Sequence, residues 1–155
     1  MTDTEHQRRE LVEKIGVINE KIGMQPVAAR VNALLQVSNH TMLTFDEIRE
    51  ELQVSKSSVS NAIAILLSTG QIEYFTKPGD RKRYFRSTME KWPRLIDKLL
   101  EFAMNYRDIY KQVLAIRSDS DPTFNQSIKD LINFIDYVME TVPPMLREWT
   151  EKRNK

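Results

Sequence analysis

A change of sequence period constrains the fold of this chain more than any other feature. From Ile72 to Lys77 the residues alternate as in a strand, Pro78-Gly79-Asp80 then turns the chain, and a second run follows from Arg83 to Arg86. Alternating runs on both sides of a tight turn are typical of a β-hairpin. Most other apolar residues recur at helical spacing, so the sequence predicts one hairpin in a mainly helical chain.

Two helices and a short extended piece are predicted at the start of the chain. The first helix runs from about residue 5 to 22 and ends at Gly23, where a left-handed helix stop would lie. The second begins at Pro26, a favoured first-turn residue, and ends near Ser38-Asn39. Met42-Leu43 can form only a short extended segment.

The next two helices, 45–52 and 56–69, are predicted from their N-terminal caps. Thr44 and Glu47 fit a capping box, in which the threonine hydroxyl accepts from the amide of Glu47 and the glutamate carboxylate accepts from the amide of Thr44. A serine precedes the second helix and is a good N-cap. Only Gln53-Val54 separates the two helices, so a sharp turn must join them.

Two or three helices are expected after the hairpin. One begins between residues 87 and 93 and runs to about Arg117. Another follows Asp121-Pro122 and runs to about Glu140. Pro143-Pro144 should break the chain before a short last helix that ends near residue 152, because proline removes a helical hydrogen bond.

The resulting order of elements is that of a winged helix-turn-helix. The predicted fold class is mainly α with a small β-hairpin wing (α+β), with added N- and C-terminal helices. Residues 1–24 would be an added N-terminal helix, residues 25–88 the winged helix-turn-helix domain, and residues 89–155 an added C-terminal helical region.

The charges of the chain are concentrated in its middle third. The formal net charge is only +1 over 155 residues, yet residues 55–91 contain seven Lys or Arg and only three Asp or Glu. Residues 1–54 are acidic by comparison, with six basic and nine acidic side chains, and residues 92–155 hold ten of each. A basic island on a nearly neutral protein indicates one surface that meets a polyanion.

The helix 56–69 has the two faces expected of a recognition helix. Its predicted buried side consists of Val59, Ala62, Ile63 and Leu66, and its opposite side of Ser57, Asn61, Ala64 and Ser68. Small and polar residues would let the helix lie deep in a major groove, where the Asn61 amide matches adenine. Serine and asparagine are also ordinary solvated residues on helix surfaces, which is the alternative interpretation.

The hairpin adds a cluster of cations that can contact phosphates or send an arginine into the minor groove. Charged turns are also common on their own. Tyr84 and Phe85 are expected to anchor the return strand, one of them facing the core. The candidate DNA-binding residues are Lys56, Ser57, Ser58, Ser60 and Asn61 in the helix and Lys77, Arg81, Lys82 and Arg83 in the hairpin.

Composition argues against most other classes of protein. The chain has no cysteine and only His6 and His40, so thiolate chemistry and the usual zinc sites are excluded and no cofactor is expected. The pairs Asp97 with Glu101 and Asp130 with Asp136 lack a convergent nucleophile, so an enzyme is not expected. We expect a cytoplasmic protein without membrane contact, because no apolar run approaches the roughly 20 residues of a spanning helix.

Aromatic residues of the C-terminal half offer a further alternative. They could cage a quaternary ammonium ligand, although packing in a core or dimer interface is the ordinary use of aromatics at helical spacing. They are Trp92, Phe102, Tyr106, Tyr110, Phe134, Tyr137 and Trp149.

From Gly16 to Arg86 the chain resembles the GbsR-like branch of the MarR superfamily of transcription regulators. The residues that carry the resemblance are Gly23, Pro26, Arg30, Ala33-Leu34-Leu35, the segments 43–48 and 54–60, and the segment 77–84. It implies a homodimer with two winged helices, a long dimer-interface helix after the wing, and regulation of transcription from a palindromic operator. Residues 25–88 would then be the DNA-binding domain, and residues 1–24 and 89–155 the N- and C-terminal dimerisation helices, with 89–155 also the region for a small effector. Lys56, Ser57, Ser60 and Asn61 match the family's recognition-helix positions, and Lys77, Arg81 and Arg83 match its wing.

Two hypotheses therefore follow from the sequence. The first is a dimeric regulator, expected to be a repressor, that binds double-stranded DNA and is modulated by an unidentified small-molecule effector. The second is a winged-helix module that binds another protein and no operator, since the fold alone serves both roles.

Overall fold

The computed structural model of the chain describes residues 3–153 and confirms the predicted fold class. In chain order the elements are α1 (Asp3–Lys21), α2 (Pro26–Val37), β1 (Leu43–Thr44), α3 (Phe45–Leu52), α4 (Lys56–Ser68), β2 (Ile72–Thr76), β3 (Arg83–Ser87), a 3-10 turn (Met89–Lys91), α5 (Trp92–Ile116) and α6 (Pro122–Arg153). They form two compact units, one up to Glu90 and one from Lys91.

The sheet of the first unit has three antiparallel strands in the order β1-β3-β2. Tyr84 of the central strand β3 pairs with Thr44 on one side and with Phe75 on the other. Side chains alternate between the two faces of a strand, so Phe85 lies on the inner face and is buried. The last pair before the tip of the hairpin is Thr76 with Arg83.

The core of the first unit lies between this inner face and helices α2, α3 and α4. The largest fully buried side chains are Val31, Leu43, Ile48, Val59 and Leu66. All four residues predicted for the inner side of α4 are buried, which confirms the predicted orientation of that helix.

The predicted caps and turns are confirmed in detail. The amide of Thr44 donates to Glu47 Oε2 over 2.6 Å, and the amide of Glu47 donates to Thr44 Oγ1 over 3.3 Å. The turn between α3 and α4 places Gln53 at φ 55°, a left-handed conformation that glycine adopts more easily. Gly23, predicted to stop α1, has φ 94°.

Arg30 of α2 connects α1 with α2 through hydrogen bonds. Its Nε donates to Glu13 of α1 over 3.0 Å, and its Nη1 atom donates to Glu20 and to the carbonyl of Pro26. Gly16 of α1 is buried, and a Cβ atom at this position would lie 3.2 Å from Cγ of Arg30. A glycine therefore allows the arginine stem to cross α1 closely.

The second unit is a pair of antiparallel helices. Contacts between Trp92 and Trp149 at one end, and between Arg117 and Asn125 at the other, establish that α5 and α6 run in opposite directions. Arg107 Nη1 of α5 also donates to Asp136 of α6 over 2.8 Å.

The predicted break at Pro143-Pro144 is wrong, because α6 continues through both prolines to Arg153. Proline removes two backbone donors, so two carbonyl groups one turn earlier lose their helical partners. Leu146, one turn beyond Pro143, keeps its side chain partly buried, so packing continues on the far side of the prolines. Tertiary contacts of this kind commonly override local propensity.

Within residues 3–153, none of the helices is both long and apolar enough to cross a bilayer.

Candidate nucleic-acid interface

The N-terminus of α4 is held by a group of serine hydroxyls. Ser55 is the N-cap, and its Oγ accepts from the amide of Ser58 over 3.2 Å. The same Oγ lies 3.0 Å from the hydroxyl of Ser57 and 2.8 Å from that of Ser58. Ser58 is only partly exposed and serves the cap, whereas Ser57 stays open to solvent.

The outward side of α4 is exposed as predicted. Ser57, Asn61, Ala64 and Ser68 are all exposed, and so are Lys56 and Ser60. Asn61 lies in the second turn of the helix, beyond the capping serines. Its amide is therefore free to present a donor and an acceptor to a ligand.

The tip of the hairpin, residues 77–82, is a tight turn stabilised by Asp80. The amide of Asp80 donates to the carbonyl of Lys77 over 3.0 Å, and Gly79 takes the positive φ of 78° that the turn requires. Asp80 Oδ1 accepts from the amide of Lys82 over 2.9 Å, and Asp80 Oδ2 accepts from the Tyr84 hydroxyl over 2.6 Å.

These hydrogen bonds set the ionisation of the turn. The Tyr84 hydroxyl and the Lys82 amide hold the pKa of Asp80 below its ordinary value, and the bond to Asp80 raises the pKa of Tyr84. Asp80 is therefore ionised and Tyr84 neutral at neutral pH, which is the state that their hydrogen bond requires.

A cleft of about 440 Å³ lies between one flank of α4, formed by Ser60, Ile63, Ala64 and Leu67, and the hairpin. The residues that line it come from the start of α3, from α4 and from the return strand of the hairpin, and they include Thr44, Phe45, Asp46, Ser60, Ile63, Ala64, Leu67, Arg81, Lys82, Arg83 and Phe85. We call this space the cleft. It is open to solvent, with apolar side chains along its floor and three cations along one wall.

The three cations that border the cleft form no ion pair with the described residues. Among residues 3–153, no carboxylate forms an ion pair with Arg81, Lys82 or Arg83. Arg83 lies instead on the ring of Tyr74, with its guanidinium carbon 5.2 Å from the ring centroid. Their charge is available to a polyanion.

Arg86, on the outer face of the hairpin, is neutralised. Arg86 Nη2 lies 2.6 Å from Glu73 Oε1, and its guanidinium also stacks on the ring of Phe75. Arg86 is the one hairpin arginine that was not predicted to bind DNA. Most of the unpaired positive charge is therefore on the cleft side of the hairpin.

The structure brings part of the predicted site together. Ser60, Arg81, Lys82 and Arg83 line one cleft, whereas Lys56, Ser57 and Asn61 are exposed elsewhere on α4. Lys77 is exposed as well, but its Nζ lies 3.9 Å above the ring of Tyr84.

Asp46 is a cleft residue that the sequence analysis did not identify. In the sequence, an acidic residue in the first turn of α3 indicates only a favourable interaction with the helix dipole, because acidic side chains stabilise helix N-termini. The pairing of β1 with β3 is what brings this turn to the hairpin. No local sequence pattern specifies that pairing.

The C-terminal aromatics do not form one enclosure. Trp92 contacts Trp149 at 4.9 Å, and Phe102, Tyr106 and Tyr110 form a row along α5 with centroids 4.7 and 5.7 Å apart. Phe134 and Tyr137 are exposed on α6. Across the described residues, 3–153, no three His, Cys, Asp or Glu side chains are grouped as metal ligands would be.

Comparison with known proteins yields structural matches only. No protein-family model matches the sequence, and no curated protein matches it significantly. A crystal structure of a transcriptional regulator superposes with a TM-score of 0.76 at 21% identity, over 94% of this chain and 99% of the other.

Two further solved structures match less well, each with a TM-score of 0.42. One is a mutant of MepR from S. aureus, with 16% identity over 86% of this chain and 91% of the other. The second is a mutant of MarR from E. coli, with 13% identity over 91% of both chains. From the match at 0.76, we conclude that this chain shares the fold of a transcriptional regulator of known structure.

Proposed function

We propose that this chain is a sequence-specific, double-stranded-DNA-binding regulator of transcription that acts as a homodimer. The observation that carries the proposal is that the outward side of α4 is exposed next to a cleft that one flank of the helix and the three unpaired cations of the hairpin border. A helix with small polar residues can enter a major groove, and neighbouring cations can neutralise phosphates. The hairpin would then act as a wing on the backbone or in the minor groove.

The two parts of the site have different roles in this proposal. Asn61 and Ser57, on the outward side of α4, would contact base edges, and Asn61 has the donor and acceptor pair that adenine requires. Lys56 and the helix N-terminus suit a phosphate. Arg81 and Arg83 would supply affinity that depends little on sequence.

The homodimer is supported by the apolar residues of α5, which form two seams, that is, two lines of residues along neighbouring sides of the helix. One seam packs on α6 and consists of the partly buried residues Ile96, Leu100, Ala103, Arg107, Tyr110 and Leu114. The other lies one position earlier at each step and consists of Leu95, Leu99, Phe102, Tyr106, Ile109, Val113 and Ile116. All but Val113 of this second seam are exposed, and Phe102 is 59% exposed. Apolar residues repeated every 3.5 positions are typical of helices that pack on another helix.

Helix α6 repeats the same pattern. Its buried seam includes Asn125, Ile128, Ile132 and Ile135. One position earlier lie Phe124, Ser127, Leu131 and Phe134, which are all exposed and are apolar except for the serine. In antiparallel helices, a shift of one position rotates both seams to the same side of the pair. The second seams therefore form one largely apolar surface, which we call the apolar face of α5 and α6.

A second copy of the chain is the partner that we propose for this face. Residues 92–155 carry ten basic and ten acidic side chains, so two copies would not repel each other through net charge. Two recognition helices held about one duplex turn apart, roughly 34 Å, would read an inverted repeat with half-sites about 10 base pairs apart.

We further propose that the chain belongs to the MarR superfamily, in its GbsR-like branch, and that it acts as a repressor in the cytoplasm. Support comes from the segments 43–48, 54–60 and 77–84 and from the shared fold. A small effector would modulate DNA binding by its difference in affinity for two spacings of the wings.

Selection of bound duplexes from a random pool, followed by a salt titration of the selected duplex, tests the proposal. We expect an enriched inverted repeat and an affinity that falls steeply as salt rises, because phosphate contacts release counterions. Weak binding without an enriched sequence would contradict an operator-binding function. It would favour a module that binds another protein.

Substitutions test the proposed division of roles. Arg81→Ala with Arg83→Ala should weaken binding to selected and random duplexes alike, and should reduce the salt slope. Asn61→Ala should reduce the preference for the selected duplex by roughly 1–3 kcal/mol. Equal losses from both changes on both duplexes would contradict this assignment. Lys129→Ala, an exposed cation of α6, is a control for the general effect of lost charge.

A further inference from the structure

The wing tip needs its own means of staying ordered. The strand ladder of the hairpin ends at Thr76 and Arg83, so Arg81 and Lys82 lie beyond the last pair. A flexible tip would have to become ordered when it binds a ligand, and that loss of entropy would weaken binding.

Tyr84 connects this tip to the most constrained strand of the sheet. It lies in β3, which is paired on both sides, through Thr44 in β1 and Phe75 in β2. From there its hydroxyl donates to Asp80 in the tip over 2.6 Å. The ammonium group of Lys77 also lies over its ring. Lys77 at the start of the turn and Asp80 within it therefore both contact the Tyr84 side chain.

Asp80 transmits this constraint to the cations. One of its carboxylate oxygens accepts from Tyr84, and the other accepts from the backbone amide of Lys82 over 2.9 Å. The backbone between Arg81 and Arg83 is thus fixed by a side chain that contributes no positive charge itself.

We propose that Tyr84 is a positioning residue for DNA binding, which through Asp80 presets the wing-tip cations toward the cleft. The inference rests on the proposed DNA-binding function and adds a residue to it that is not expected to contact DNA. The inference predicts the opposite of what charge alone predicts for Asp80. Asp80 is a negative charge beside a phosphate-binding surface, so charge alone predicts that its removal tightens binding.

The test compares the intact chain with its Tyr84→Phe and Asp80→Asn variants. The probe is a labelled duplex of mixed sequence, about three helical turns long, at low salt. We expect both variants to bind about three- to tenfold more weakly, because each loses a hydrogen bond with a charged partner and leaves the tip to be ordered on binding. Tyr110→Phe, in α5 of the second unit, is the matched control.

Trypsin cleavage after Arg81, Lys82 and Arg83, measured without DNA, gives an independent readout. We expect faster cleavage in Tyr84→Phe and Asp80→Asn than in the wild type or Tyr110→Phe, with unchanged circular dichroism. Unchanged cleavage rates would overturn the inference. So would faster cleavage with unchanged affinity, or tighter binding by Asp80→Asn.

The two proposals can fail separately. If the wild-type chain shows no salt-dependent binding to the duplex, the proposed DNA-binding function fails, and the cleavage rates still decide whether Tyr84 orders the tip. If the wild type binds and the variants bind equally well, only the positioning role fails.

Discussion

Glu47 is the side chain on which the start of α3 most depends. Its carboxylate accepts from both the amide and the hydroxyl of Thr44, over 2.6 and 2.7 Å. These two hydrogen bonds lower the pKa of Glu47. Because the folded state has the lower pKa, the stabilisation is fully present above the ordinary pKa of glutamate, about 4.3, and is lost as pH falls through the depressed value.

Glu47→Ala should therefore destabilise the protein in a pH-dependent manner. We expect a loss of about 1 kcal/mol in the free energy of unfolding at pH 7, typical of a helix cap, and a smaller loss near pH 3. Denaturant unfolding at the two pH values measures both. Glu51→Ala, an exposed acidic residue of the same helix, is the control. An equal loss at both pH values would contradict this role.

Residue roles could be predicted from the sequence where the partner is local. The capping box of Thr44 and Glu47 spans three positions, and its pattern alone was sufficient. Arg30 binds Glu13, seventeen positions away, and crosses Gly16, which carries no signal of such a contact in the sequence. The link from Tyr84 to Asp80 is local, yet the tyrosine was assigned only as an anchor because hydrogen-bond direction is not visible in a sequence.

At the scale of elements, the connection between α5 and α6 depends on Asn125. Its side chain is 7% exposed, its Oδ1 accepts from Arg117 over 2.7 Å, and its Nδ2 donates to the carbonyl of Ser118 over 3.0 Å. One buried amide therefore satisfies groups on the connection and at the end of α5.

Asn125→Ala should destabilise the packing of α5 on α6. The substitution removes two hydrogen bonds of a buried amide, each worth about 0.5–1.5 kcal/mol net, so we expect a loss of about 1–3 kcal/mol. Thermal unfolding followed by circular dichroism measures the change. Asn133→Ala, an exposed asparagine of the same helix, should leave the midpoint almost unchanged. Equal effects of the two substitutions would contradict a special role for Asn125.

The elements themselves were largely predictable, because periodicity and caps are local. The helix-turn-helix and the wing follow the predicted order, and α4 presents the predicted sides. The prediction failed at Pro143-Pro144, where a rule for isolated helices was applied to one whose side chains pack on both sides of the prolines. The cleft depends on pairing between β1 and β3, whose residues are about forty positions apart, and such pairing has no local signature.

At the scale of the whole molecule, the apolar face of α5 and α6 bears on the proposed homodimer. Leu95, Leu99, Phe102 and Ile109 are each more than half exposed along one line of α5. Helix α1 shows the same arrangement, with Val12 buried and Leu11 and Ile18 exposed. Contiguous apolar surfaces of this kind mark interaction sites.

Phe102→Glu should convert the proposed dimer to a monomer, because a carboxylate cannot be buried in an apolar interface without a partner. Sedimentation velocity at several concentrations measures the change. Ala115→Glu adds the same charge at an exposed position of α5 outside both seams and should remain dimeric. A dimeric Phe102→Glu variant, or a monomeric wild type, would contradict the proposed interface.

The uneven distribution of unpaired cations on the wing has a consequence for how many duplexes the proposed DNA-binding protein can hold. Glu73 pairs with Arg86 and Phe75 lies against it, so among residues 3–153 that side of the hairpin keeps one exposed cation without an ion pair, Lys77, which rests on the ring of Tyr84. A hairpin with several unpaired cations on each of its two faces would bridge neighbouring DNA molecules and condense them. Because the unpaired cations lie mainly on the cleft side, we expect each wing to hold a single duplex and the protein not to cross-link DNA molecules.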